Sequence, residues 1–417
     1  MSSRTVRALV DVFHVPGARR FFAAHAQSSL GSGIAMVGLP LLAYQQFHSP
    51  WALTGVLLPE LLPAVALGPL LGALADRLPR RTCLVAADIL RCVAFVFLAL
   101  VPSLPLMIAS ALVAGIGTAL FNPAALASLP AIAPGRHRPA AMSLFAALDD
   151  LGLTVGPALA GAMLLVFNPH TLMGINAVTF LISALMLSTL PLSSRPAWVK
   201  LSLFSDVVTG SREIIARPGM RTLLISSTVA VLCVGMVNVG EVVLAQELLG
   251  VGGSGLAALV TAAGVGTVLG SAIGARTRMT WQWRRAYLLG LTCMAADLVL
   301  CALAPYFPLL LVTFALGGFG NGLALVHDRL LFSHAVPEAL HGRLFALHKA
   351  FTSAAFALSF IVAGVLISSF GVQAMFLSAG LALIVIIVVV RPHLRQQWPK
   401  PTEGQEPGAL HPRPSAA

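Results

Sequence analysis

Residues 72–101 read GALADRLPRRTCLVAADILRCVAFVFLALV. The first ten positions hold Arg77, Arg80 and Arg81, and the twenty that follow carry only Asp88 and Arg91 as charges. A basic turn feeding ~20 apolar residues is the pattern of a helix that crosses a lipid bilayer, entered from the positively charged side. The pattern continues both ways. Twelve apolar stretches follow one another at 20–46, 51–75, 82–101, 104–130, 139–167, 171–192, 221–248, 255–276, 285–304, 307–334, 342–369 and 372–390. With 58% apolar and 10% charged residues in 417, the chain cannot enclose its apolar surface in one water-soluble core.

The formal charge of +11 suggests a nucleic-acid partner only until the basic residues are located. All but Arg91 and Arg329 lie before stretch 1 or around the ends of the even-numbered stretches, whereas the alternate loops at 47–50, 102–103, 168–170, 249–254, 305–306 and 370–371 contain no Lys or Arg. By the positive-inside rule both termini are cytoplasmic, in a multi-pass protein of the cell membrane. No nucleic-acid partner is expected. Residues 1–19 lack a signal-peptide core and read as a cytoplasmic lead-in. The preference for Arg, with only Lys200, Lys349 and Lys400 among 26 basic residues, points to a GC-rich bacterial genome. Cys83, Cys92, Cys233, Cys293 and Cys301 lie inside the apolar stretches without CxxC spacing, so neither a disulfide nor a metal is expected.

The chain repeats itself at an offset of 202 to 203 residues. Pro16, Gly17 and Arg19 return as Pro218, Gly219 and Arg221, Gly33 and Gly38 as Gly235 and Gly240, Gly115 and Gly117 as Gly318 and Gly320, Pro134 as Pro337, and Gly161 as Gly364. The expected fold is an all-α membrane protein of twelve transmembrane helices in two six-helix pseudo-repeats inserted the same way. The halves are 20–192 and 221–391, joined by a cytoplasmic linker at 193–220 and followed by a disordered tail at 392–417.

The loop Gly72-Ala-Leu-Ala-Asp76-Arg77-Leu-Pro-Arg80-Arg81 resembles the GxxxDRxGRR loop of the major facilitator superfamily, with Pro79 in place of a glycine. Asp76 and the arginines read as a gating charge network at the cytoplasmic mouth, which Asp88 and Arg91, spaced i, i+3, would join. A topogenic basic loop is the alternative. Gly152, Gly156, Pro157 and Gly161 resemble the GxxxGPxxGG motif of antiporters in that superfamily, with Ala160 replacing one glycine. Physically, small residues at i, i+4 let two helix backbones touch, and proline permits a bend. Packing alone is the other reading.

Three further runs, QSSLGSG at 27–33, FNPAALASLP at 121–130 and VPEALHGR at 336–343, are similar to the drug:proton antiporter branch that includes enterobactin exporters and macrolide efflux proteins. That resemblance implies export of small organic molecules in exchange for protons by a protein working as a monomer, with helices 1, 4, 7 and 10 lining a central cavity. Those helices offer Gln27, Ser32, Asn122, Asn238, Glu241 and Asn321 as cavity residues. Ser32 stands where many members of the branch carry an acid. An importer or facilitator, and a transport-inactive sensor on the same scaffold, remain open alternatives.

A charged side chain at the bilayer centre costs ~2.5–3.5 kcal/mol on insertion scales, so acids in the apolar stretches are functional candidates. Asp149 and Asp150 are adjacent, which disfavours ionising both and makes them the leading proton-coupling candidates, with Glu241 third. Glu60 and Asp297 rank lower because their helices do not form the innermost wall. His327, His334, His341 and His348 recur every seven residues across a run broken at Pro337 and Gly342. They read as polar groups at the cytoplasmic interface, with a relay or metal role as the alternative. No GxxxxGK loop, zinc-ligand set or nucleophile elbow is present, so no cofactor, ATP chemistry or enzymatic activity is expected.

Overall fold

The structure is a computed structural model that describes residues 12–13, 15–67, 70–71, 74, 77–100, 103–190, 218–303, 306–335 and 341–397. Gly72 and Asp76 of the expected gating loop lie outside the described residues, as does the expected linker up to residue 217; its last three residues, 218–220, are already helical. The described chain forms twelve α-helices. They are α1 (Ala18–Phe47), α2 (Pro50–Ala66), α3 (Arg80–Leu100), α4 (Leu104–Ile132), α5 (Arg138–Met163) and α6 (Pro169–Ser188), then α7 (Pro218–Val243), α8 (Gly252–Gly274), α9 (Thr280–Leu303), α10 (Phe307–Ala335), α11 (His341–Phe370) and α12 (Val372–Gln397).

Eleven of these are long and apolar enough to cross a membrane. The apolar α2 has 17 residues, the lower limit of ~17 for a span. In α12 the helix runs past the expected boundary, through Pro392 to Gln397. Lipid offers the backbone no hydrogen-bond partner, so each span closes its own bonds as a helix. Pro40, Pro59, Pro63, Pro123, Pro130 and Pro157 sit inside helices all the same. Close-packed neighbours make such interruptions tolerable. At Gly371, where α11 turns directly into α12, φ is 84°, a conformation that glycine adopts without strain.

α1 packs on α5 and α6, α3 on α4 and α6, and α2 on α4; likewise α7 packs on α11 and α12, α9 on α10 and α12, and α8 on α10. Between the two sets, α5 lies on α8 and α2 on α11. Backbones approach closely where side chains are absent. A Cβ on Gly156 would stand 2.5 Å from Gly33 Cα, and one on Gly152 2.5 Å from Ser29 O, so α1 and α5 touch through their main chains.

α1 begins and α12 finishes at the same end of the bundle, here called the terminal end; the opposite is the far end. Contacts between the sets that can be placed residue by residue cluster toward the far end. A Cβ on Gly161 would meet Ala257 Cβ at 2.8 Å, and one on Gly253 would meet Leu41 Cδ2 at 2.6 Å. Thr54 Oγ1 donates to Phe360 O at 2.8 Å. Tyr44 of α1 donates its hydroxyl to Glu247, on a π-helical turn (Leu244–Leu248) that ends α7. Such a turn re-aims side chains away from the α-helical register.

Candidate functional site

A cavity of about 260 Å³ lies among α7, α8, α9 and α10 and is walled on one side by Met36 of α1 and by Leu153 and Thr154 of α5. Most of its surface is apolar, from Val234, Val237, Val260, Met294, Leu298 and Phe314. Its polar groups are few: Asn238, Glu241, Asp297 and Asn321, with Thr154 and Thr267. Asn238 Nδ2 donates to Val234 O at 3.2 Å. Glu241 and Asp297 lie within electrostatic reach of each other. Asp297 Oδ1 accepts from the Cys301 thiol at 3.4 Å.

Asp297, ranked low in the sequence because its helix was not expected in the innermost wall, lines the cavity. It stands on α9, outside the innermost ring, yet reaches the cavity because Gly317 of α10 leaves the space its carboxylate occupies; a Cβ on Gly317 would overlap that carboxylate. A pocket with an apolar wall and a few convergent polar groups is the usual form of a small-molecule site.

Ser32 and Asp150 face the gap between the two helix sets, one turn toward the terminal end. Ser32 precedes Met36 by four residues and Asp150 precedes Thr154 by four, so each shares the helix face of a cavity residue. Both are exposed, as is Asn122. Arg329 of α10 lies within electrostatic reach of Asp150 across that gap. Gln27 departs from its expected place: it donates to Thr179 O of α6 at 2.7 Å, inside the first helix set. It is about 140° around α1 from Ser32, at ~100° per residue.

Asp149 points elsewhere than its neighbour. Its Oδ1 lies 3.1 Å from His25 Nε2 and accepts from Ser29 Oγ at 3.3 Å, both on α1. The His25 contact is one of proximity, since neither ring nitrogen has an aligned hydrogen bond. The His25 ring stacks on Phe145 with centroids 4.0 Å apart. Asp88 and Arg91 adjoin this group, which corrects their assignment to the mouth of the gating loop. They are buried two to three turns inside α3, paired with each other, with the Arg91 guanidinium 4.3 Å from the centroids of both Phe121 and Phe180. Asp88 is in electrostatic reach of His25, and Arg91 of Asp149. Arg77 and Arg81 are exposed and Arg80 half-exposed beside them in sequence.

A second carboxylate–histidine contact occupies the other helix set. His348 Nε2 lies 3.3 Å from Asp328 Oδ2 and 2.9 Å from Ser227 Oγ, and Tyr287 shares a 2.8 Å hydrogen bond with Ser226. At the repeat offset Ser227 corresponds to His25 and His348 to Phe145, so each half has one histidine at this junction, on opposite partners. His348 and the buried His327, bonded to Thr277 at 2.9 Å, are internal, which corrects their reading as interface groups. Asp328 was not singled out in the sequence, although an acid inside the apolar run 307–334 was the signal that could have found it.

Comparison with known proteins places this architecture. The model of the Major Facilitator Superfamily matches residues 21–282 and 223–415. The "Uncharacterized MFS-type transporter YfiS" of Bacillus subtilis is 27% identical over 89% of this chain and 91% of its own. The "Multidrug efflux pump Tap" of Mycolicibacterium fortuitum is 28% identical over 88% and 93%. The "Putative bacilysin exporter BacE" of Bacillus amyloliquefaciens is 29% identical over 43% of this chain and 46% of its own. Among solved structures, the nucleoside transporter NupG superposes with a TM-score of 0.74 at 12% identity, covering 90% of this chain and 98% of that one, a likeness of fold alone.

Proposed function

This chain belongs to the major facilitator superfamily, and from that premise we propose that it exports small organic molecules in exchange for protons. The observation that carries the proposal is the apolar cavity among α7, α8, α9 and α10, closed on one side by α1 and α5, with Glu241 and Asp297 both in its lining and within electrostatic reach of each other. Two relatives named as an efflux pump and an exporter support the direction. The apolar lining suits a hydrophobic or amphipathic substrate of the drug, macrolide or siderophore type. Two carboxylates within electrostatic reach of each other in an apolar wall repel, and a cationic substrate or a proton would compete to relieve that charge.

The halves are taken as 20–192 and 221–391, rocking about this cavity. We take the terminal-end side, which carries the basic residues, as cytoplasmic, and the contacts at the far end support reading the arrangement as inward-open. Substrate enters from the cytoplasm, and protonation of the cavity acids, or of Asp149 beside His25, changes which side is open. Energetically a single proton suffices. A proton crossing ~150 mV releases ~3.5 kcal/mol at ~2.3 per 100 mV. That sustains a gradient of a few hundredfold for a neutral substrate, at ~1.4 kcal/mol per decade.

The test is accumulation of a panel of dyes, macrolides and siderophores in cells expressing wild type, Glu241→Gln or Asp297→Asn, with and without an uncoupler. Wild type is expected to lower accumulation of at least one compound, with the uncoupler and one substitution each restoring it. Accumulation raised above that of empty cells would replace export by import.

A further inference from the structure

A second cleft, of about 420 Å³, opens between α9 and α12 at the terminal end of the bundle. Its mouth holds Arg284 and Arg285 from the first turns of α9 and Arg391 and Arg395 from the last turns of α12. Deeper toward mid-bundle its walls turn apolar with Leu288 and Ile387. The spacing makes this gradient a property of the sequence. Residues 387, 391 and 395 recur at i, i+4 and i+8 along one stripe of α12, and 284 and 288 at i, i+4 on α9, each with arginine at the helix end.

The arginines converge. Arg284 is buried, and Arg285 and Arg395 are within electrostatic reach of it. Arg285 is braced over the Trp281 ring, 4.9 Å from its centroid. Among the described residues, none that lines the cleft is acidic. Beside the cleft Val388, three residues before Arg391 on α12, is 67% exposed, as an apolar side chain facing lipid would be. Positive charge at headgroup depth above an apolar wall is complementary to one kind of molecule, a phosphate diester with acyl chains, and guanidinium forks match phosphate oxygens in pairs. Orientation alone calls for basic residues in the loops and does not require four of them to share one cleft.

We propose that this cleft binds the headgroup phosphate of an anionic phospholipid from the leaflet facing the chain termini, with its acyl chains along Leu288 and Ile387. The inference is independent of substrate and of transport direction.

The full chain is reconstituted in phosphatidylcholine bilayers with and without phosphatidylglycerol or cardiolipin, and lipid retained after extraction is read by native mass spectrometry alongside the melting temperature. Wild type is expected to retain anionic lipid and to melt higher in its presence. The triple variant Arg285→Gln, Arg391→Gln, Arg395→Gln is expected to bind roughly 100-fold more weakly, from about fivefold for each arginine near an anionic surface. If that variant fails to insert, Arg285→Lys, Arg391→Lys, Arg395→Lys keeps the charge, and retention weaker than wild type supports directed binding. Equal retention by wild type and the variant that is read overturns the proposal. A separate arm supplies inorganic phosphate to protein in phosphatidylcholine alone; stabilisation equal to that by anionic lipid would make this a soluble-anion site and overturn the lipid assignment.

Discussion

Replacing Gly156 by alanine tests whether main-chain contact between α1 and α5 holds the first helix set together. The added Cβ would lie 2.5 Å from Gly33 Cα and 2.6 Å from Gly33 C, whereas ordinary contact begins at 3.4 Å. The shortfall, 3.4 minus 2.5, is about 0.9 Å, and backbone atoms cannot swing aside as a side-chain tip can. Overpacking of this kind costs about 1–3 kcal/mol. A separation of that size would also carry His25 and Ser29 away from Asp149, now 3.1 and 3.3 Å distant, and break both contacts. The control is Gly174→Ala, a helical glycine whose Cβ would meet only Ala99 Cβ at 3.9 Å. Alanine gains about 1 kcal/mol over glycine in a helix in both variants, so their difference isolates the clash. At roughly 2–4 °C per kcal/mol for a unit of this size, Gly156→Ala is expected to melt about 2–12 °C below Gly174→Ala in detergent. Equal melting temperatures would refute the close-contact account.

Arg91→Leu strips a buried carboxylate of its partner and is expected to cost about 3–5 kcal/mol, read as a lower melting temperature. Adding Asp88→Leu is expected to recover most of that loss, since the uncompensated charge is then gone. Tyr44→Phe removes the α1-to-α7 hydrogen bond at the far end. Spin labels at the far ends of those helices are expected to show a larger population of long distances, and an unchanged distribution would mean that the bond latches nothing.

The helices were legible because apolar run length is a local property, and so is the spacing of the small residues Gly152 and Gly156 that let α5 touch α1. The site was less so. Which acid meets which histidine depends on helix faces brought together from distant sequence, as with His25 and Asp149 or Asp328 and His348. Gln27 shows the same limit, since membership of α1 does not say which way a side chain points. Asp88 and Arg91 looked like loop charges by proximity in sequence, but the rise of α3 carries them inward to lie between Phe121 and Phe180. Asp297 reached the cavity through the gap at Gly317, a three-body arrangement that no pairwise spacing encodes.

The central claim is proton-driven export by the cavity acids, and the direct measurement is made in proteoliposomes without ATP. Purified protein is reconstituted, a pH gradient is imposed, and movement of a compound found by the cell assay is followed together with internal pH. Wild type is expected to move substrate against the direction of proton flow and to dissipate the gradient faster when substrate is present. Glu241→Gln or Asp297→Asn is expected to abolish that coupling while substrate still binds. Transport at one rate with and without the gradient, or coupling intact in both variants, would contradict the account.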